Sequence, residues 1–214
     1  MMKILVTGFE PFDNEKINPA WEAVKKLPNN LEDIEVLKFQ IPTAFINSYE
    51  VLFKLIDENQ PDAVLCIGQA GGRFDFTIER IAINIDDARI PDNNGFQPVD
   101  KPIFSDGENG LFSTLPIKAM VAELNKNNIP ASVSNTAGTF VCNHIMYALL
   151  YYIKKHNLNI RGGFIHVPYI REQIINKKST PYMELSTIVE ALKISIKTIQ
   201  KYKKDISVSG GLEF

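Results

Sequence analysis

Apolar runs of strand length alternate with stretches of helical periodicity along most of this chain. Runs at 4–7, 34–41, 63–68, 131–134 and 163–167 predict β-strands. Helical patterns at about 19–27, 45–59, 116–127, around Cys142 and at about 181–204 predict the helices between and after them. Strands that alternate with helices are typical of a mostly parallel sheet with helices on both faces. The order of elements therefore predicts an α/β fold.

The segment from residue 71 to residue 113 interrupts this alternation. Residues 77–85 carry apolar side chains at period two, which predicts a further strand and leaves an antiparallel orientation open. Residues 86–110 are rich in Asp, Asn, Pro and Gly and predict a long ordered loop. Loops of this length in compact domains are often functional, so we expect this loop to lie beside the site.

Length and composition suit one globular domain, and residues 1–214 are expected to form it. The chain is 45% hydrophobic and 22% charged, and 214 residues can bury a substantial core. A net charge of −2 gives no electrostatic reason to expect nucleic acid or a membrane as partner. The N-terminal apolar stretch is too short for a signal peptide or a membrane span. Two cysteines without metal-type partners nearby favour a reducing compartment, so a cytoplasmic location is expected.

The segment 134–144 places Cys142 in the first turn of a predicted helix, just after a small, polar turn. Thr139 is the expected N-cap, which would put the cysteine among free backbone N–H groups. The positive end of the helix dipole favours thiolate over thiol, and the same N–H groups could hold an oxyanion. The alternative is a small packed hydrophobe, because free cysteines are usually buried. The pattern thus offers a nucleophile without excluding a structural role.

A cysteine nucleophile needs a base, and His166 is the best candidate among three histidines. It lies near the carboxyl end of a predicted buried strand, where open α/β sheets bind their ligands. His144 is two residues from Cys142 and would point about 200° away on a helix. His156 is at a helix end, where a surface or capping role is expected. A lone buried histidine remains the alternative for His166.

Glu79 stands out among the acids because it interrupts an apolar strand after a glycine-rich turn. A carboxylate inside such a run needs a partner, and His166 would serve. Pairing with Arg80 is the alternative, although adjacent strand residues point to opposite faces. Six further acids lie near element ends and stay open at this point: Asp62, Asp86, Asp87, Asp92, Asp100 and Asp106.

Metal and cofactor sites have no support in the motifs. Cys142 and His144 lack further ligands at zinc spacing. The glycines after the first and third predicted strands complete neither a dinucleotide fingerprint nor a phosphate-binding loop. No metal and no cofactor are therefore expected.

Seven blocks of this sequence, in order, resemble those of the cysteine-type pyroglutamyl peptidases, also called pyrrolidone-carboxylate peptidases. The resemblance extends from Val6 to about Gln173. The blocks are Thr7-Gly8-Phe9-Glu10-Pro11-Phe12, Gly68-Gln69-Ala70-Gly71-Gly72-Arg73, Glu79-Arg80-Ile81-Ala82-Ile83-Asn84, Asp87-Ala88-Arg89-Ile90-Pro91-Asp92-Asn93, Phe112-Ser113-Thr114-Leu115-Pro116, Asn135-Thr136-Ala137-Gly138-Thr139-Phe140-Val141-Cys142-Asn143-His144 and Phe164-Ile165-His166-Val167-Pro168-Tyr169. Each block alone is weak, whereas the ordered set is specific.

This resemblance implies a cysteine exopeptidase that removes an N-terminal pyroglutamyl residue through an acyl-enzyme. It implies Cys142 as nucleophile, His166 as base and Glu79 as acid, and it raises Glu79 above the other acids. It also implies a three-layer α/β/α sandwich around a twisted, mixed and mostly parallel sheet, similar to phosphorylases and hydrolases. Peptides with N-terminal pyroglutamate are the implied substrates, and a homotetramer is the implied assembly.

Further residues acquire roles only through the resemblance. Arg89 and the backbone N–H of Cys142 would form the oxyanion site. Phe9 and Phe12 would flank the pyroglutamyl ring, with Gln69 as a third residue that binds substrate, although both aromatics could also be ordinary core residues. Two other functions stay open: a nucleoside phosphorylase-like enzyme on a similar sandwich, and a non-catalytic binder of blocked peptide N-termini.

Overall fold

The predicted apolar runs form the strands of a seven-stranded sheet in the computed structural model, which describes residues 1–211. In chain order the strands are β1 (Met2–Phe9), β2 (Asn30–Leu31), β3 (Ile34–Ile41), β4 (Ala63–Gln69), β5 (Phe76–Glu79), β6 (Ile81–Ile83), β7 (Gly110–Phe112), β8 (Ala131–Ser134) and β9 (Arg161–Val167). The helices are α1 (Pro19–Val24), α2 (Phe45–Asn59), α3 (Ile117–Lys126), α4 (Val141–Lys155), α5 (Arg171–Ile174) and α6 (Leu185–Lys201).

The sheet is mixed and mostly parallel, as predicted. Its strand order is β2-β3-β1-β4-β9-β5-β8. The pairs β1–β3, β1–β4, β4–β9 and β5–β8 are parallel, whereas β2–β3 and β5–β9 are antiparallel. The two remaining strands, β6 and β7, pair with each other in a separate antiparallel sheet.

Helices cover both faces of the sheet because the central strands are apolar on both sides. On β1, Ile4 and Val6 face the layer formed by α1, α3 and α6. Leu5 and Phe9 on the same strand face the layer of α2 and α4. The three-layer α/β/α sandwich is therefore confirmed.

Because side chains alternate between the two faces along each strand, the strand positions also decide on which face the candidate site residues lie. Cys66 on β4 and Phe164 on β9 pack towards α2 and α4, and side chains two residues further along a strand share that face. Gly68 is paired with His166, and His166 is paired with Thr77 on β5. Three neighbouring strands thus bring their functional candidates together under α4.

The strand predicted at 77–85 is two strands. Ile78 in β5 packs into the core on one face of the main sheet, whereas Ala82 in β6 belongs to the core on the other. The chain turns at Arg80, whose backbone N–H donates to the Ser134 carbonyl and whose carbonyl accepts from Ser113. The segment therefore contributes to the core on one face of the main sheet before Arg80 and on the other face after it.

The terminal helix is shorter than the predicted 181–204. It begins at Leu185 because Tyr182 bridges Tyr169, and the N–H of Met183 donates to the Tyr169 carbonyl. It ends at Lys201, where Arg161 binds the carbonyls of Ile199 and Tyr202. Long-range contacts therefore set both ends.

Two helices receive their N-terminal caps from distant aspartates. The N-cap of α2 is Ala44 and that of α3 is Pro116, and neither has a side chain that can cap. The Asp92 carboxylate accepts from the N–H of Phe45 at 2.9 Å. The Asp205 carboxylate accepts from the N–H groups of Lys118 and Ala119 at 2.9–3.1 Å. These bonds fix residues after α6 to the start of α3.

Asp205→Ala is expected to lower the free energy of unfolding by about 1 kcal/mol, because it removes the cap of α3. Urea unfolding followed by circular dichroism measures the change. Asp33→Ala is the matched control, since Asp33 is exposed and its side chain forms no hydrogen bond within residues 1–211. Equal stability of the two variants would contradict a capping role.

No helix in the described part of the chain is long and apolar enough to cross a membrane. The predicted domain of residues 1–214 includes 212–214, which lie outside the described residues, and it stays a prediction.

Candidate active site

Cys142 is the second residue of α4 and therefore lies in the first turn of the helix, as predicted. The N-cap is Phe140, so the prediction of Thr139 was wrong by one position. The Thr139 hydroxyl donates instead to the Asp87 carbonyl at 2.8 Å and is not available to the helix. The first-turn N–H groups of α4 are thus free of any side-chain cap.

The sulfur of Cys142 lies close above β4. A methyl group built on Gly68 would be 2.8 Å from Cys142 Sγ and 2.6 Å from Phe164 Cζ. The Phe164 ring in turn lies 4.8 Å from the His166 ring, measured between centroids. Only glycine at position 68 leaves room for the thiol. Among the described residues, no hydrogen bond joins Cys142 to His166.

His166 and Glu79 form a direct hydrogen bond. His166 Nδ1 is 2.7 Å from Glu79 Oε1, and the Glu79 side chain is fully buried. The alternative pairing of Glu79 with Arg80 is wrong, since Arg80 binds Asn135 and the Gly210 carbonyl. A proton on Nδ1 that is donated to the carboxylate leaves Nε2 as the free basic nitrogen.

Arg73 is a neighbour of Glu79 that the sequence analysis missed. Its Nη1 donates to Glu79 Oε1 at 2.6 Å. Burial raises the pKa of the Glu79 carboxyl, but the hydrogen bonds and the charges of His166 and Arg73 outweigh it, so the pKa is lower than usual. Glu79 is therefore ionised at neutral pH. Arg73 ends the segment 68–73, which resembles the peptidase family, and that resemblance was the available signal.

The expectation that Cys142 rests as a thiolate was wrong. Burial, together with the negative charge of Glu79, raises the pKa of its thiol to about 12. Burial also lowers the pKa of His166, against the effect of its Glu79 partner. Desolvation disfavours both charged forms, so the unliganded site holds a thiol and a neutral imidazole.

The residues expected to bind substrate occupy different environments. Phe12 is half-buried, with its ring 6.1 Å from that of Phe140. Phe9 is buried, 6.4 Å from Phe164. Gln69 is half-buried, and its Oε1 accepts from Gln173 Nε2 at 2.8 Å. These contacts hold the three side chains in place, and their predicted roles in substrate binding stay predictions.

Arg89 is exposed, and its side chain makes no hydrogen bond or ion pair with another described residue. The preceding backbone is tied to the start of α4, because the N–H of Asp87 donates to the Thr139 carbonyl at 3.0 Å. Arg89 therefore lies in a loop attached to the Cys142 segment, and its oxyanion role stays a prediction.

The other two histidines lie apart from the Glu79 pair. His144 Nδ1 is 2.8 Å from Asp86 Oδ2 in a buried contact, so its ring has a carboxylate partner outside the Glu79 pair. His156 is exposed at the C-cap of α4, as predicted. Asn143, which was missed, binds the backbone of Ile83 and Ile85, so the first turn of α4 is fixed against β6.

The other candidate acids have structural partners or face solvent. Asp92 caps α2, Asp62 accepts from the N–H of Lys3, and Asp106 binds Tyr151 and Lys155. Asp87 and Asp100 are exposed. Within residues 1–211 no cluster of three or more His, Cys, Asp or Glu side chains could hold a metal ion.

A family model described as pyroglutamyl peptidase matches residues 2–202 of the chain. The chain belongs to the pyroglutamyl peptidase family. It is therefore a hydrolase of the peptidase class, and the phosphorylase-like enzyme and the non-catalytic binder are not favoured.

Relatives named as pyrrolidone-carboxylate peptidases align with this sequence over most of its length. A pyrrolidone-carboxylate peptidase of Brachyspira hyodysenteriae is 64% identical over 197 residues, which are 92% of this chain and 98% of the relative. One from Clostridium perfringens is 58% identical over 210 residues, 98% of this chain and 99% of the relative.

Solved structures of pyroglutamyl peptidases share the fold. The crystal structure of pyroglutamyl peptidase I from Bacillus amyloliquefaciens is 49% identical, with a TM-score of 0.95 over 97% of this chain and 99% of that one. The pyrrolidone carboxyl peptidase from Thermococcus litoralis is 35% identical, with a TM-score of 0.94 over 98% of this chain and 100% of that one.

Proposed function

We propose that this protein removes N-terminal pyroglutamyl residues from peptides, with Cys142 as nucleophile, His166 as general acid and base, and Glu79 as the group that orients His166. The observation that carries the proposal is the 2.7 Å bond from His166 to a fully buried Glu79, on the sheet face that lies beneath Cys142. A buried carboxylate held in this way fixes both the ring orientation and the tautomer of the histidine.

The reaction begins with a proton transfer. Because the free thiol has a raised pKa, His166 Nε2 accepts the proton of Cys142 as the sulfur attacks the pyroglutamyl carbonyl. The carbonyl oxygen gains the negative charge and is stabilised by the N–H of Cys142, with Arg89 as a second donor. The intermediate collapses when His166 gives its proton to the leaving amine. Water, activated by His166, then hydrolyses the acyl-enzyme and restores the thiol.

The chemistry of the substrate ring accounts for the presence of aromatic side chains around the site. Pyroglutamate is a neutral lactam without an ammonium group, so its pocket needs apolar walls and a few hydrogen-bonding groups. Phe12 is a half-buried aromatic beside Phe140 at the start of α4, and Gln69 offers an amide whose orientation is set by Gln173. Phe9 packs against Phe164, whose ring lies next to Gly68 and His166 in the site.

Release of a fluorophore from a pyroglutamyl-amide reporter tests this function. Reduced wild-type protein should cleave the reporter, and iodoacetamide treatment should stop it. The matched control is the glutaminyl-amide, which has an open side chain and a charged amine and should not be cleaved. Absence of pyroglutamyl turnover in folded, reduced protein would contradict the proposal, as would equal turnover of both reporters.

Gly68→Ala is expected to lower kcat by about a hundredfold, because the added methyl group would displace the thiol from its position. Gly163→Ala is the matched control on the neighbouring strand, since its methyl group would contact Ser113 and Leu115 instead of the thiol. Circular dichroism checks that both variants fold. Unchanged kcat in folded Gly68→Ala would contradict the placement of Cys142 above β4.

We also propose a homotetramer located in the cytoplasm. The β6–β7 pair exposes Ile83 and Phe112, which a subunit interface would cover. Both cysteines are free, as a reducing compartment requires. Light scattering should give the mass of four chains, and the mass of one chain would contradict the assembly.

A further inference from the structure

The Arg73 guanidinium joins three parts of the site. Nη1 donates to Glu79 Oε1 and to Thr77 Oγ1, both at 2.6 Å, and Nη2 donates to the Thr136 carbonyl at 3.0 Å. The Arg73 side chain is 30% exposed, whereas that of Glu79 is fully buried. Arg73 therefore reaches the site from the surface, and its guanidinium lies in direct contact with the buried carboxylate.

One oxygen of Glu79 accepts hydrogen bonds from both His166 and Arg73. Oε1 accepts from His166 at 2.7 Å and from Arg73 at 2.6 Å. An ionised carboxylate without exposure is costly unless it is paired. While His166 is neutral, Arg73 supplies the opposing charge to the Glu79 carboxylate, and the hydrogen bond from His166 adds to its stabilisation.

Proton transfer changes the balance of charges around the thiol. Besides the two groups that exchange the proton, the described residues whose charges act on the pKa of Cys142 are Glu79, Arg73 and Cys66, and those that act on the pKa of His166 are Glu79 and Arg73. Once the proton has moved, the thiolate, the imidazolium, the carboxylate and the guanidinium sum to no net charge. Without Arg73 the same largely buried site would carry one net negative charge. Arg73 lowers the pKa of both Cys142 and His166, whereas Glu79 raises both.

Arg73 also ties β5 to the segment that carries the nucleophile. Thr136 lies in the turn before α4, where Gly138 has a φ of +78° and its N–H donates to Thr136 Oγ1 at 3.1 Å. The bond from Arg73 to the Thr136 carbonyl thus links this turn to the Glu79 carboxylate.

We propose that Arg73 is a positioning residue that balances the charge of Glu79 while the proton passes from Cys142 to His166. The proposal rests on the proposed function, because it assigns Arg73 a part in the same reaction. Its effect is exerted through Glu79 and through the turn at Thr136.

The rate at which iodoacetamide alkylates Cys142 tests this role, because it reports the thiolate without requiring turnover. Arg73→Gln keeps a hydrogen-bond donor but removes the charge. At neutral pH we expect alkylation to slow by about three- to tenfold, with the pH profile moved to higher pH and kcat affected more than KM. Arg73→Lys keeps the charge and should restore most of the wild-type profile. Mass spectrometry of the Cys142 peptide separates its alkylation from that of buried Cys66.

Arg80→Gln is the matched control. Arg80 donates to Asn135 and to the Gly210 carbonyl. Replacing it by Gln removes one positive charge next to Glu79 in the sequence but leaves the hydrogen bonds of the Glu79 carboxylate in place. A wild-type profile in Arg73→Gln would overturn the proposal. An equal shift in Arg80→Gln, or no rescue in Arg73→Lys, would do the same. Failure of wild-type protein to cleave the pyroglutamyl reporter would instead remove the proposed function, whatever the alkylation rates are.

Discussion

Cys142→Ala is expected to abolish release of the fluorophore from a pyroglutamyl-amide while leaving the fold intact. The variant removes the proposed nucleophile, and catalysis by the remaining residues should fall by several orders of magnitude, as in other covalent hydrolases. The cavity left by one sulfur above Gly68 is small, so little stability should be lost. Initial rates with the reporter and thermal unfolding measure the two effects.

Cys66→Ala is the control for this result. Cys66 is a fully buried thiol on β4 under the same helix layer, and burial raises its pKa to about 12. It shares the residue type of Cys142 but lies inside the core, so turnover should survive its replacement. Substantial activity in Cys142→Ala, or loss of activity only in Cys66→Ala, would contradict the assignment of the nucleophile.

Glu79→Gln should lower kcat/KM by about 10³–10⁴-fold, the size of effect known where the acid that orients a catalytic histidine becomes an amide. The amide keeps one acceptor oxygen for the His166 and Arg73 donors, but it loses the negative charge that stabilises the imidazolium. Steady-state kinetics with the reporter measure the change.

Asp86→Asn is the matched variant for Glu79→Gln. It also neutralises a buried carboxylate that is bonded to a histidine, His144, and its expected effect on kcat/KM is small because this pair lies outside the proposed catalytic set. A few-fold effect of Glu79→Gln, or equal losses in both variants, would contradict the role of Glu79.

Much of the fold could be predicted because its signals are local. The apolar runs of β1, β3, β4, β8 and β9 and the periodicity of α2 and α4 depend on burial alone, and each lies close to its predicted position. The three-layer arrangement follows from strands that are apolar on both faces.

What escaped prediction depends on partners distant in sequence. Asp92 and Asp205 accept from first-turn N–H groups that lie 47 and 87 residues away from them, and nothing in the local sequence of α2 or α3 marks this. The end of β5 at Glu79 is set by pairing with β8 and β9, and the start of α6 by the bridge between Tyr169 and Tyr182.

The candidate site shows the same division. His166 and Glu79 could be paired from the sequence because each is a polar residue in an apolar strand that needs a partner. Arg73 was missed since its exposed, glycine-rich surroundings suggest a solvated side chain. The prediction of a thiolate at Cys142 was wrong. The helix start that favours a thiolate is visible in the sequence, whereas the burial of the sulfur and the nearby charge of Glu79, which raise the pKa of the thiol, appear only in three dimensions.

Trapping the acyl-enzyme tests the central claim most directly. Wild-type protein is mixed with a pyroglutamyl ester, quenched in acid within the first turnover, digested and examined by mass spectrometry. We predict a mass increase of one pyroglutamyl group on the peptide that contains Cys142, and none on the peptide that contains Cys66. Turnover without a covalent adduct, or an adduct on a different residue, would contradict the mechanism proposed for this protein.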